Sequence, residues 1–358
     1  RIKRVFRQKM RSERKKRREK QTKTESDSMR NPRFPLGGEI MYMVKYILKR
    51  LGLMLLTFFI IMTMCFFLIK ALPVVDEKVF GVDSAAIKYR RELLGYNKPI
   101  IEQFFIFLKR IFVYGDWGVG EQIYCAQDVT KVFAEKLPAT MLVNVYSMLF
   151  SVPLGLALGI FAALRKNKWQ DHVISTGVMI FVSVPSYIYA FLVQYIFCFK
   201  LQWFPFLMSS SREYLSWEVF VSVLPAVLSL SFGVIAGFAR YTRAELTEVL
   251  TSDYMLLART KGLTKGQTTV RHALRNAMVP IFPMIIGEFV GILSGSLVIE
   301  GIFSIPGVGG LYVSAINNKD YNFFMLLSAF YTFVGLAAGI IVDISYGLID
   351  PRIRMGAK

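Results

Sequence analysis

The chain has 358 residues, 54% of them hydrophobic, and a formal net charge of +19 from 44 Lys and Arg against 25 Asp and Glu. Mean hydropathy is +0.44, more than a water-soluble domain sustains, so composition points to a membrane protein. The three cysteines, Cys65, Cys125 and Cys198, lie far apart, with no metal-ligand spacing and no disulfide framework; Cys65 and Cys198 read as small apolar residues inside apolar spans.

Residues 1–40 are almost wholly charged or small and polar. They cannot bury a core and are expected to form a basic disordered extension or a basic helix on an anionic surface. The sequence opens on Arg, and Met41 and Met43 directly precede the first apolar run. Gly37–Met41 is also what a purine-rich ribosome-binding site encodes when read in frame, so the natural start is expected at Met41 or Met43 and the extension is expected not to be native.

Six stretches reach the roughly 20 apolar residues that cross a bilayer: 48–69, 140–163, 173–199, 219–239, 279–299 and 325–348. The first, with its approach, makes a unit of 41–69. The second holds Asn144 and Pro153, and the fifth holds Pro280, Pro283 and Glu288; such breaks are tolerated where helices pack on neighbours or line a cavity. Gly155, Ala157 and Gly159 lie in the second span. Gly291 with Gly295, and Gly335 with Gly339, have the small-xxx-small spacing of close helix approach; lipid-facing filler is the other reading.

Lys and Arg concentrate in the 164–172 loop, in the tail after the sixth span, and in 240–278, which has seven basic residues against three acidic. This bias orients those segments and both termini toward the cytoplasm. The positive charge is therefore accounted for near the membrane, and no nucleic-acid partner is expected. Residues 70–137 then lie outside. Within them Ile100, Phe104, Phe107, Leu108 and Phe112 mark an amphipathic helix that starts near Pro99 and stops at Gly115–Gly118. It is read either as a docking surface or as a packing lid over helix ends.

The most ordered polar stretch is Arg240–Pro280. A periodic segment from Ala244 to Lys261 stops at Gly262, the residue that most easily takes the left-handed backbone ending a helix, and Leu263 follows to pack on the last turn. Thr264–Gln267 has the form of a capping box opening a second helix. So ordered a loop is a place for a second protein to push on the membrane part.

Catalytic chemistry is poorly supplied. His172 and His272 have no metal-ligand or triad partners, and no GxxxxGK[ST] phosphate loop exists. Glu288, Glu300 and Asp343 are the carboxylates in or near spans. Intramembrane carboxylates are candidates for a transport path; Glu288 and Asn144 are the pathway candidates here. Glu300 and Asp343, near span ends, have the alternative of reaching headgroups or pairing with Arg352 or Arg354.

The stretches RRELLGYNKPIIEQF…YGDWG, LPATMLVNVYSMLFSVPLGLALGIFAALRKNKWQD, ARYTRAELTEVLTSDYMLLARTKGLTKGQTTVRHALRNAMVP and VIEGIFSIPGVGGLYVSAINNKDY follow one another in order. From about Met41 to Arg354 the sequence resembles the first permease subunit of the oligopeptide/dipeptide/nickel group of ATP-binding-cassette importers. The resemblance implies an all-α membrane protein of the type I importer-permease fold. It has six transmembrane helices, both termini cytoplasmic, a core of five helices at 138–348 and a cytoplasmic tail at 349–358. It also implies that the central loop holds the ATPase-coupling segment. Ala258 and Gly262 fit that motif, Leu256 and Leu257 stand where many importers have Glu and Ala, and Pro280 falls late. Asp253, Tyr254, Leu256, Leu257, Ala258, Lys261, Gly262 and Leu263 would contact an ATPase. Arg271, His272, Arg275, Asn276 and Pro280 would form the lever back into the fifth span.

The function so implied is a non-catalytic subunit in a bacterial plasma membrane, forming half of a path for oligopeptides or dipeptides. Its expected partners are a second permease, two ATPase subunits and an extracytoplasmic peptide-binding lipoprotein. The chain itself binds no cofactor or metal; ATP is used by the partners. Two rivals remain: a nickel-chelate or other small-solute permease, for which clustered His or Met would be expected, and a partner-independent secondary transporter or channel.

Overall fold

The computed structural model describes residues 36–72, 89, 92, 95–209 and 213–349, with side chains from 45 and up to 347. Residues 1–35 of the basic extension, the side chains of Met41 and Met43, and the tail with Arg352 and Arg354 lie outside the described residues; residues 36–40, expected to belong to the disordered extension, instead open the first helix. Two compact units divide the chain between Leu53 and Met54, and the second contains the helical core. Among the described residues the regular elements are helices, and the strand-like pairing is limited to two isolated β-bridges, Val119–Asp128 and Gly120–Cys125.

In chain order the helices are α1 Leu36–Ala71, α2 Ile100–Tyr114, α3 Val129–Leu164, α4 Trp169–Ser183 and α5 Ser186–Val193. A π-helical turn, Gln194–Lys200, continues α5. Then come α6 Trp217–Leu250, α7 Asp253–Thr260, α8 Lys265–Thr268, a π-helical turn at Thr269–Leu274 leading into α9 Arg275–Gly291, α10 Leu297–Ile302, α11 Val308–Asn317 and α12 Tyr321–Ile349. Among the described residues five continuous helices are long and apolar enough to cross a membrane: Lys45–Ala71, Val129–Leu164, Trp217–Leu250, Lys265–Gly291 and Tyr321–Gly347.

The third span departs from expectation. Instead of one helix over 173–199 it is two, α4 and α5, bent by 101°. Val184 is extended at φ −95°, ψ 128° ahead of Pro185; proline removes an N–H and forces the preceding residue out of the α region. The Tyr189 hydroxyl donates to the Phe181 carbonyl at 2.9 Å across the break. The fifth span also differs. It runs from Lys265 to Gly291 rather than 279–299, because the chain turns at Gly295 (φ +60°) and restarts as α10.

The core is built on α3 against α6, the most extensive helix pair. Gly155 and Gly159 make it possible. A Cβ on Gly155 would lie 2.7 Å from Phe238 Cβ and 2.9 Å from the Ile235 carbonyl, and one on Gly159 would lie 2.7 Å from the Ala239 carbonyl. The two pairs singled out by spacing do not behave this way: a Cβ at Gly291, Gly335 or Gly339 would meet nothing within 4 Å, and Gly295 serves a turn.

At one end of α3, Val129 and Val132 pack with Val308, Leu311 and Phe323 of α11 and α12. Asp128 caps α3, accepting from the Thr130 amide at 2.7 Å; its hydrogen bond to the Thr130 hydroxyl holds the carboxyl below the usual range. The 95–128 segment is fixed to the start of α12. Buried Asp320 accepts the amides of Glu121 and Gln122 at 2.8 Å each and of Ile123 at 3.1 Å, and Arg110 donates to Asn322 Oδ1 at 2.9 Å. α2 packs side-on against α1, through Phe66 with Phe104 and Phe107, and against Tyr321 at the start of α12 through Phe107. The opposite end of α3, at Ala163, carries the central loop.

Candidate functional site

The central loop begins inside a helix. The expected segment from Ala244 to Lys261 is not continuous: α6 runs unbroken out of its apolar part to Leu250 and α7 starts afresh at Asp253. The break has a local cause. The Thr251 and Ser252 hydroxyls donate to the carbonyls of Glu248 at 2.9 Å and Val249 at 2.6 Å, competing with the helix for its own acceptors. Ser252 then turns extended at ψ 153° as the residue before α7.

α7 ends as its sequence predicts. Gly262 is left-handed at φ +87°. Its amide donates to the Arg259 carbonyl at 3.0 Å and the Leu263 amide to the Ala258 carbonyl at 3.4 Å, the paired bonds of a Schellman closure. Leu263 is half-buried. The capping box is present: Gln267 N donates to Thr264 Oγ1 at 3.3 Å and Thr264 N to Gln267 Oε1 at 3.1 Å.

α7 has two faces. Met255, 1% exposed, and Ala258 point inward. Met255 joins a cluster with Ala163 of α3, Leu246 of α6, Ala273 of the π-helical turn and Ala277 of α9. Met255 was missed from the sequence, although its three-residue spacing from Ala258 was a readable signal. Asp253, Tyr254, Leu256, Leu257 and Lys261 are exposed, Leu256 at 63% and Leu257 at 56%. Of the lever residues, Arg271, His272, Arg275 and Asn276 are exposed and Pro280 is half-buried inside α9; the buried side of that segment is Thr268, Ala273 and Ala277.

Beside this site a partly buried ion pair ties α4 to α6. Asp171, 1% exposed, takes Arg243 Nη2 on Oδ2 at 2.8 Å and Arg243 Nε on Oδ1. The same carboxylate accepts the Asn167 amide at 2.9 Å and the Ser175 hydroxyl at 3.3 Å. Its partner lies 72 residues away, so no local spacing in the sequence announces the pair.

Glu300 is also not what its position suggested. It reaches no headgroup: it is 3% exposed. Its Oε1 accepts the Thr140 hydroxyl at 2.9 Å, and its Oε2 accepts the amides of Gly309 at 2.8 Å and Gly310 at 3.3 Å at the start of α11. Thr140 Oγ1 in turn accepts the Val308 amide at 2.8 Å. Every neighbour donates, which suits an acceptor-only carboxylate at a helix N-terminus. Asn144 donates to the carbonyls of Thr140 at 2.9 Å and Ile292 at 3.1 Å, bridging α3 to the end of α9. Glu288 is half-buried in α9, and among the described residues it has no hydrogen-bond or ion-pair partner. Among the described residues no hydrogen bond joins Glu288 and Asn144.

Two family profiles match the chain: "Binding-prot-dependent transport system membrane comp, N-term" over residues 43–144 and "Binding-protein-dependent transport system inner membrane component" over 155–355. The chain belongs to this family of membrane components of binding-protein-dependent transport systems. Within that class it is similar to the dipeptide transport system permease protein DppB of Lactococcus lactis subsp. cremoris, 34% identical over 313 residues, 87% of this chain and 100% of the relative. It is 33% identical over 316 residues to the oligopeptide transport system permease protein OppB of Haemophilus influenzae, covering 87% of this chain and all of that protein. To the glutathione transport system permease protein GsiC of Escherichia coli (strain K12) it is 31% identical over 315 residues, covering 87% of this chain and 99% of that one. The expected resemblance to the permeases of peptide-type ATP-binding-cassette importers is therefore met, and the chain is a membrane permease subunit.

Proposed function

We propose that this subunit forms half of a translocation path for dipeptides or oligopeptides in a bacterial plasma membrane. A second permease completes the path, and two ATPase subunits drive it from the cytoplasmic side. A peptide-binding lipoprotein delivers substrate at the other face. The chain itself catalyses no covalent step. Both termini and the 164–172 and 240–278 loops are cytoplasmic on this reading, following their Lys and Arg excess. The names of the three relatives, for dipeptide, oligopeptide and glutathione transport, support a short peptide as substrate.

One observation carries the coupling role: α7 is packed on its inner face by Met255 while Leu256, Leu257 and Tyr254 stand uncovered on the other. The uncovered side chains are the anchors for a groove on an ATPase. Force applied there passes into α6 through the two-residue turn and into α9 through Gly262 and the capping box, an interface-driven rigid-body switch. The test has two arms. In membranes holding the assembled complex, Leu257→Cys should crosslink to single cysteines along the ATPase groove; no crosslink at any groove position refutes the contact. Cells whose uptake of a labelled dipeptide depends on this chain should lose it in competition with unlabelled di- and oligopeptides; uptake unaffected by either competitor refutes the substrate.

A further inference from the structure

α2 is joined to α1 at an unexpected depth. Phe104 meets Phe59, Phe66 and Phe67 with ring centroids 6.3, 5.2 and 5.7 Å apart. Those α1 residues precede its end at Ala71 by four to twelve positions, which at the helical rise is about 6 to 18 Å back along α1. The run Leu51–Ile69 carries no charge, and Lys70 closes it. With a hydrocarbon layer about 30 Å thick, Phe104 lies within the leaflet at that end and not in water beyond it.

The exposed surface of α2 runs in stripes, with exposed Val113 on the far side of the charged one. Ile101, Phe105 and Phe112, at i, i+4 and i+11, form an apolar stripe 66%, 63% and 75% exposed. Glu102 and Lys109 stand exposed on the adjoining stripe. The inner side, Phe104, Phe107, Leu108 and Ile111, is the side packed in the shared core with α1 and α12. The uncovered stripe adjoins a helix that is itself uncovered, at Leu56, Ile60, Met64 and Leu68. A separate apolar stripe, a charged stripe beside it and a lipid-length helix as neighbour are the pattern of a helix lying in the interface plane.

We infer that α2 is an interfacial helix whose Ile101–Phe105–Phe112 stripe is covered by lipid acyl chains of the leaflet at the C-terminal end of α1. The 70–137 segment is thereby anchored in the bilayer as well as to α12. Its docking surface for soluble partners excludes this stripe.

The test uses the full chain in its assembled complex, reconstituted in phosphatidylcholine vesicles. Nitroxide labels are placed singly by Phe105→Cys and Phe112→Cys, with Glu102→Cys and Lys109→Cys for comparison, and the unsubstituted protein carried through labelling supplies the blank for native cysteines. The ratio of oxygen to nickel-chelate collision rates should be severalfold higher at 105 and 112 than at 102 and 109. Equal access to the nickel chelate at all four places the stripe in water and overturns the inference. Low access to both quenchers at 105 and 112 shows a protein cover, a partner subunit or binding protein, and also overturns it. A second measurement needs no substitution: lipids with diazirine-bearing acyl chains, photolysed in the same vesicles, should leave adducts on the 101–113 peptide. Adducts on α1 peptides with none there refute the proposal.

Discussion

Gly262→Val isolates one physical quantity, the left-handed backbone that closes α7. Gly262 sits at φ +87°, and a Cβ built there meets nothing within 4 Å, so no steric clash enters. The cost is the backbone conformation alone, about 1–2 kcal/mol for an L-residue and toward the upper end for a β-branched one. Each 1.4 kcal/mol is tenfold in population, so the closed turn with its Leu263-to-Ala258 bond becomes about 10- to 30-fold less favoured. The turn is exposed, so melting of the whole subunit should hardly change. What should change is the ratio of ATP hydrolysed to peptide imported by the complex in proteoliposomes, which should rise clearly for Gly262→Val. Gly262→Asn should fall between, because Asn tolerates the left-handed region. Wild-type stoichiometry in Gly262→Val refutes the coupling role of this turn. An Asn variant as impaired as the Val variant refutes the backbone explanation.

Two further perturbations probe the supports of the site. Glu300→Gln cannot accept from all of its neighbours: with its carbonyl toward Gly309 and Gly310, its amide faces the Thr140 hydroxyl, whose proton loses its acceptor. A destabilisation of about 1–3 kcal/mol follows, read as a lower thermal-unfolding midpoint, and Thr140→Val should add less than its separate effect; strict additivity refutes the network. Asp171→Asn leaves Arg243 without its bidentate partner, but the Arg243 side chain is 33% exposed, so solvent limits the loss to about 1–3 kcal/mol, below the range for fully buried pairs. The double variant Asp171→Asn/Arg243→Gln should be milder than the single one, and a double variant worse than both singles would show that the pair does not act as a unit.

What was legible in the sequence was local. Apolar runs, Pro-free or not, marked the spans, and the glycine stop and capping box of Gly262–Gln267 are encoded within seven residues of each other. The break at Val184–Pro185 was also written locally, but a long hydrophobic run with a single proline reads as one span until the backbone before the proline is considered. Contacts across the chain were not legible. Nothing near Glu300 announces that Thr140, 160 residues away, will donate to it. Gly155/Gly159, Gly291/Gly295 and Gly335/Gly339 share one spacing, but of the three only Gly155/Gly159 is a close approach to a facing helix, because α6 presents the Ile235 and Ala239 carbonyls opposite it. Small-xxx-small spacing permits an approach; the partner helix decides it.

α2 and α7 both carry uncovered apolar residues, and they differ in a way that bears on what covers each. On α2 the apolar and charged residues are separated, Ile101, Phe105 and Phe112 on one stripe and Glu102 and Lys109 on the next, so the helix can turn one stripe to hydrocarbon and keep the other at the headgroups. On α7 they alternate around the exposed face: Arg259, Leu256, Thr260, Asp253, Leu257, Lys261 and Tyr254 follow one another at helical spacing. No rotation of α7 puts Leu256 and Leu257 into lipid without also bringing in Asp253 or Thr260, and a carboxylate in hydrocarbon is costly. Such an interleaved face is suited to a protein groove, where an apolar pocket and a polar rim lie within a few ångströms of one another. The inner face cannot yield instead, because Met255 is packed against side chains of α3, α6 and α9. A push on α7 is therefore a push on the ends of three spanning helices, and through Arg243 and Asp171 on the first arm of the broken one.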